Sequence, residues 1–219
     1  MDFKTIFNFL SEIKENNNRE WMDANKKVYL EAKGAFVSIT ESLINGVAGF
    51  DESLIGLEPK QSIFRINRDI RFSKDKSPYK TNFGAYMVPG GKKSGNAGYY
   101  LHLQPGDESF IAGGVYMPQA ENLTKIRQEI DYNVSELKTI TEAPKFMEFF
   151  GAIEGEKLKK APKGYPIDHP NLELLKLKSF LVIHKVKDSQ VLKTGFIDYV
   201  LTVFKAMEPF NSYLNVAMS

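Results

Sequence analysis

The chain has 219 residues, 42% of them hydrophobic and 26% charged, with a formal charge of +2, which is the balance of an ordinary globular domain rather than a disordered or fibrous chain. It holds no cysteine, so disulfides, thiolate metal sites, iron–sulfur clusters and cysteine nucleophiles are excluded. An acidic Asp2 inside an amphipathic start is not the basic opening of a secretory signal, and no apolar run is long enough to span a bilayer. The expectation is therefore a cytoplasmic protein with no membrane partner, for which the sequons at Asn122 and Asn133 have no glycosylation route.

Phe3, Ile6, Phe7, Leu10 and Ile13 recur at helical spacing behind Asp2, a good capping residue, and predict an amphipathic first helix. Asn16, Asn17 and Asn18 end it, and Asn17 with Glu20 is spaced as a capping box for a second helix. Trp21, Val28, Ala32, Ala35, Phe36, Ile39, Leu43 and Val47 hold one face of that helix, which Gly46 and Gly49 close. From residue 60 the period falls to two, and strands are predicted over 61–67, 83–89, 98–104 and 109–117. Short connections rich in glycine and proline make an antiparallel meander the economical arrangement. Pro118 is placed to open a helix through Leu123, Ile126 and Ile130, and Asn133 with Glu136 to cap a further one.

A helix over 144–150, a short strand and proline-punctuated loop in GEKLKKAPKGYPIDHP, a helical turn over 172–176 and an extended run over 178–186 follow. Phe196, Tyr199, Val200, Val203, Phe204 and Met207 then mark a C-terminal amphipathic helix capped by Asp188 or Thr194. Helices, then strands, then helices predict an α+β fold in a single domain: a helical pair over 1–50, antiparallel strands over 60–117, and helices with one or two additional strands over 118–219.

Charge is distributed unevenly along this frame. Between Lys60 and Lys93 nine basic side chains stand against two acidic ones, so a positive segment sits on a net acidic body. Its centre is RINRDIRFSKDKSPYK, residues 65–80. Arginine offers planar bidentate donors for carboxylate or phosphate, and lysine adds point charge. Arg65, Arg68, Arg71, Lys76 and Lys80 are the candidate anion ligands, with Asp69 orienting one guanidinium. In the competing reading Asp69 and Asp75 pair with their neighbours and the remaining charges are solvated.

Tyr100, His102 and Gln104 share one face of the third predicted strand, which adds Tyr100 as a ligand contact and His102 as a candidate proton carrier beside Asp69. Tyr79 and neighbouring aromatics are placed to stack on bases. Gly113 and Gly114 leave two successive positions without side chains, suiting a close approach by a ligand or another backbone. The PKGYPIDHP loop contributes Lys163 to the ligand set, next to Tyr165, Asp168 and His169. Read as a plain turn, it exposes His169 and lets Asp168 cap the next helix.

The order NNNREW, RINRDIRFSKDKSPYKTNFGAY, GYYLHL with IAGGVYMP, KIRQEI and PKGYPIDHP resembles the family catalogued as domain of unknown function 2461. The likeness covers nearly the whole chain. It implies a single domain and brings no reaction with it.

Sharper motifs fail on context. Ser73-x-x-Lys76, Ser94-Gly-Asn96 and Lys193-Thr-Gly195 spell the three elements of a penicillin-binding site in order, but Pro78 prevents the helix that the first requires and the third precedes a helical pattern. Gly90-Gly-Lys-Lys-Ser-Gly lacks the spacing of a phosphate loop. Three dispersed histidines argue against a transition-metal site, the sequence names no cofactor, and room remains for an oxygen-ligated magnesium ion.

The sequence thus supports a binding module for an anionic partner, either a phosphorylated small molecule or nucleic acid. The alternatives are a hydrolase or transferase acting on a phosphate or carboxylate substrate, and a purely structural role for the basic segment.

Overall fold

The structure is a computed structural model that describes residues 2–219. The fold is α+β. Helix α1 (Phe3–Glu15) begins where Asp2 accepts the Thr5 amide proton at 2.9 Å, and it buries Phe3, Ile6, Phe7, Phe9, Leu10 and Ile13. The second helix starts one residue later than its expected box. Asn18, not Asn17, caps α2 (Arg19–Ala24), accepting from the Trp21 amide at 2.8 Å. Asn17 is spent elsewhere: its amide donates to the Tyr79 carbonyl and accepts from the Tyr79 N–H, both at 3.0 Å, tying this turn to the basic segment. The long second helix predicted from the pattern is also two helices. Asn25 leaves helical geometry (φ −109°, ψ 21°) between α2 and α3 (Lys26–Ala48).

The expected strand over 61–67 does not form. Pro59 opens a short helix α4 (Pro59–Ser62), in which Gln61 Oε1 accepts the Glu58 amide at 2.9 Å, and a proline preset to helical φ with a capping box outweighs the alternation of the following residues. Beyond it only isolated bridges remain, Ile63 to Ala85 and Asn67 to Tyr79.

The four-stranded antiparallel sheet runs in the order β1 (Phe83–Met87), β2 (Gly98–Leu103), β3 (Ser109–Val115) and β4 (Phe180–Val186). The first three make the predicted meander. The fourth is the extended run read over 178–186, which returns beside β3 after α5 (Ala120–Glu142), α6 (Pro144–Phe149) and α7 (Leu172–Leu175). Pro118 precedes α5 without opening it, and the signal at Asn133 marks a kink (φ −131°, ψ 37°) within that helix. Asp188 begins the short α8 (Asp188–Val191), and its carboxylate accepts from the Gly106 and Asp107 amides at 2.7 and 3.0 Å instead of capping the last helix, α9 (Phe196–Met218). Gly195, at φ +83°, stands at that boundary.

The core lies on one face of the sheet. Phe83, Ala85, Met87, Tyr99, Leu101, Leu103, Ile111 and Val182 are almost fully buried there against α1, α3 and α9. Phe9 and Phe36 stack on Phe83 at 5.9 and 5.2 Å, and Phe204 lies 5.2 Å from Tyr99. Burying a side chain of this size contributes about 1.5–3 kcal/mol, so this face holds the molecule together. Strand alternation sends the other half of the side chains to the opposite face, where their packing is looser.

Candidate functional site

Register builds that opposite face into two rows across the sheet: Tyr86, Tyr100, Ala112 and Ile183 in one, and Gly84, His102, Phe110 and Lys185 in the next. A concave cavity of about 630 Å³ opens over them. Its floor and walls are Tyr86, Tyr100, Phe110, Ala112, Leu181 and Ile183, with Phe64 at the β1 edge and Tyr116 and Met117 beyond the end of β3. Lys92 and Lys93 line it, and among the described residues no carboxylate does. Lys92 is held in place by two backbone acceptors, the carbonyls of Lys60 and Gln61, each at 3.1 Å, which leaves a third proton of the ammonium unassigned.

The glycines explain why the cavity is there. A Cβ on Gly84 would lie 2.4 Å from the Tyr100 hydroxyl oxygen, so the absence of a side chain lets the phenol lie across from β2 onto β1. Gly114, at φ +102°, has its own carbonyl engaged by the Tyr86 hydroxyl at 2.8 Å, which also reaches the Asn96 carbonyl at 2.7 Å. Met117 carries a positive φ of 47° at the rim, a conformation an unbranched residue rarely adopts.

At one end of the cavity the polar residues form a chain. Tyr100 Oη lies 3.2 Å from His102 Nδ1, His102 Nε2 lies 3.0 Å from Gln104 Oε1, and the Gln104 amide donates to Glu108. The His102 ring stacks on Phe110 at 4.4 Å with 13° between planes. Burial holds the His102 imidazole below its ordinary value of 6.5 and pushes the Tyr100 phenol up to about 12, so both are neutral near pH 7.

Of the sequence candidates, the structure brings Lys80, Tyr100 and His102 together beside this cavity. Lys80 Nζ sits 5.4 Å above the ring of Phe64, itself edge-on to Tyr100 at 6.2 Å. Burial, with Arg65 as a second cause, holds the Lys80 ammonium below its ordinary range. Arg65 is exposed and has no carboxylate partner among the described residues.

The other cations are engaged within their own loop. Arg68 bonds Asp75 and donates to the Ser77 carbonyl at 3.2 Å. Arg71 grips Asp69 with two bonds of 3.0 and 2.7 Å, and its guanidinium lies 5.8 Å from the ring of Phe72, which is 95% exposed. Lys76 donates to the Ile70 carbonyl at 3.0 Å. Tyr79 is buried in the core.

Lys163 is exposed on a separate loop that packs on α5. There His169, exposed only in the plain-turn reading, has a side chain just 11% exposed and is fixed on both nitrogens: Nε2 lies 2.8 Å from Asp131 Oδ1, and Nδ1 accepts the Asn171 amide at 3.0 Å. Motif and spacing do not single out His184, whose nitrogens meet the Phe149 carbonyl at 2.9 Å and the Tyr199 hydroxyl at 2.6 Å. Nor do they single out Phe64, Lys92, Lys93, Phe110 and Ile183 as cavity residues. The period of two around Tyr100 was the available signal, but only the inter-strand register adds the neighbours.

These segments all fall inside one family model, which matches residues 5–213. The chain belongs to the DUF2461 family of conserved hypothetical proteins. No curated protein and no solved structure matches it. Among the described residues no helix is long and apolar enough to cross a membrane, and no group of three or more His, Asp or Glu side chains is placed to hold a metal ion.

One consequence of the loop's internal pairing is measurable. Asp75 accepts from the Ser77 hydroxyl and amide at 2.6 and 2.9 Å and pairs with Arg68, which together lower its carboxyl from 3.8 to about 2. A depressed carboxyl lends stability above its unfolded value and withdraws it as pH falls toward its folded value. The Ser77 amide resonance should therefore titrate near pH 2 in the native chain, and its midpoint should move up toward 3.8 in Arg68→Ala. An unmoved midpoint would show that Arg68 does not order this loop.

Proposed function

We propose that the chain is a binding module for an anionic small molecule carrying a flat ring, seated on the open face of the sheet. The observation that carries this reading is the lining of the cavity: aromatic and aliphatic walls, two lysines and no carboxylate. Its volume of about 630 Å³ lies in the range of ligand pockets, roughly 300–1,000 Å³. Tyr100, Phe110 and Phe64 offer faces and edges for stacking, while Lys92, Lys93 and, past Phe64, Lys80 and Arg65 supply positive charge around it. A phosphorylated ring compound such as a nucleotide has this chemistry. Binding is favoured over hydrolysis or group transfer because both nitrogens of His102 are engaged by side chains of its own cluster.

The test is a thermal-shift screen of nucleotides, other phosphorylated metabolites and short oligonucleotides, repeated on Lys92→Ala/Lys93→Ala. A ligand at a hundredfold excess over its Kd adds about 2.7 kcal/mol, or roughly 5–10 °C for a chain of this size. The double variant should lose most of that shift, measured against its own melting temperature without ligand. Hits that survive the double variant undiminished would refute the cavity as their site. Stabilisation by oligonucleotides alone, falling steeply with salt, would assign the surface to nucleic acid instead.

A further inference from the structure

We infer that the cavity selects ligands whose ring carries an N–H or O–H donor in addition to the anionic group, with Tyr100 as the residue that reads the donor. This rests on the binding reading above and specifies its ligand class.

The direction of the protons along the polar chain is set from its Glu108 end. Glu108 is a carboxylate and only accepts, so the Gln104 group facing it is the NH₂, and the Gln104 carbonyl is turned to His102. A carbonyl only accepts as well, so His102 carries its proton on Nε2 and donates it across the 3.0 Å contact. Nδ1 of a neutral imidazole is then a bare acceptor. It receives the Tyr100 hydroxyl proton at 3.2 Å, with the Asn82 amide a more distant second donor at 3.4 Å.

With its one proton directed at His102, the Tyr100 oxygen has only lone pairs to offer the cavity. Burial keeps both partners in these states near neutral pH, since it disfavours the phenolate and the imidazolium alike. Tyr86 is committed in the same sense, its proton directed to the carbonyls of Asn96 and Gly114. Of the three tyrosine hydroxyls that line the cavity, those of Tyr86 and Tyr100 therefore present acceptors, that of Tyr116 lies on an exposed side chain beyond the end of β3, and the lysines present cations. A ligand complementary to both is an anion bearing a ring amine or hydroxyl, and a ring with acceptors alone would meet lone pair against lone pair at Tyr100.

The probes are naphthalenesulfonate and naphthionate, its para-amino derivative, titrated calorimetrically near pH 7. A sulfonate stays ionised throughout, so the pair differs by the amine alone. Naphthionate should bind the native chain about five- to tenfold more tightly, the worth of one hydrogen bond of about 1–1.4 kcal/mol. In Tyr100→Phe the ratio of the two affinities should fall to about one, whatever happens to their common level.

His102→Phe keeps a ring to stack on Phe110 but removes the acceptor for the Tyr100 proton. It should therefore narrow the preference, because the freed hydroxyl can turn its proton into the cavity, and it serves should Tyr100→Phe fail to fold. Equal affinity of the native chain for both sulfonates, or a preference retained in both variants, would overturn the inference while leaving the cavity reading intact. Binding of neither probe, or binding indifferent to Lys92→Ala/Lys93→Ala, would overturn both.

Discussion

Gly114→Ala should cost this fold about 2–5 kcal/mol, the sum of about 1–2 for forcing an L-residue to positive φ and about 1–3 for overpacking. The position is boxed in by atoms that cannot yield. At φ +102° its Cβ would lie 2.0 Å from the carbonyl oxygen of Phe180 and 3.1 Å from the ring of Phe210. Relief would require separating β3 from β4, which pair here as Gly114 to Leu181. The same residue also links the two faces of the sheet: its N–H donates to Asn211 Oδ1 of α9 at 2.8 Å, and its carbonyl holds the Tyr86 hydroxyl in the cavity.

Gly34→Ala is the matched control. Nothing lies within 4 Å of a Cβ there, and the residue sits inside α3, where alanine is favoured over glycine by about 0.8–1 kcal/mol. Urea denaturation should therefore move the two midpoints in opposite directions. A Gly114→Ala chain within about 1 kcal/mol of the native one would show that β3 and β4 are not packed as described.

The contrast between these two glycines shows what a sequence does and does not reveal. Gly113 and Gly114 announced a close approach, but which backbone approaches depends on β4, a strand some seventy residues downstream whose pairing partner no local pattern names. The α+β order, the first helix and the meander were legible because each rests on periodicity or on a cap within a few residues. The strand expected over 61–67 failed where two local signals conflicted: alternation pointed one way, while Pro59 and the Glu58–Gln61 box decided the other.

The basic segment was harder still. Whether its arginines face a ligand or their own loop depends on Asp69 bonding Arg71 and Asp75 bonding Ser77, two residues on in each case, turns that form equally well in either reading. Tyr100, His102 and Gln104 could be placed on one face from spacing alone, but the direction of the proton along them needed Glu108 and the register of the neighbouring strands. The structure also places the uncrowded cations, Lys92 and Lys93, in a hairpin tip that reads in sequence as mere flexibility.

Filling the cavity gives the second large effect. Ala112→Trp is expected to abolish binding of any ligand found for the open face, by at least about a hundredfold in Kd, equivalent to about 2.7 kcal/mol. Ala112 stands between Tyr100 of β2 and Ile183 of β4 in the middle of the floor, with Ile111 and Gly113 on either side turned into the core. An indole at this point projects into the space the ligand would occupy and meets aromatic and aliphatic neighbours. Its own burial should offset its ordering cost, so the urea midpoint should stay within about 1 kcal/mol of the native value.

This separates occupancy from damage, which removing a lysine does not do as cleanly, because Lys92 also ties the hairpin tip to the carbonyls of Lys60 and Gln61. Lys163→Ala, on the loop packed against α5, should bind as the native chain does and fixes the baseline for a charge lost elsewhere. Calorimetric titration of the three proteins with one ligand from the thermal-shift screen decides the matter. Native affinity in a folded Ala112→Trp would place the ligand off the sheet, whereas its loss there with retention in Lys163→Ala requires that the ligand lie over the middle of the floor, across β2, β3 and β4.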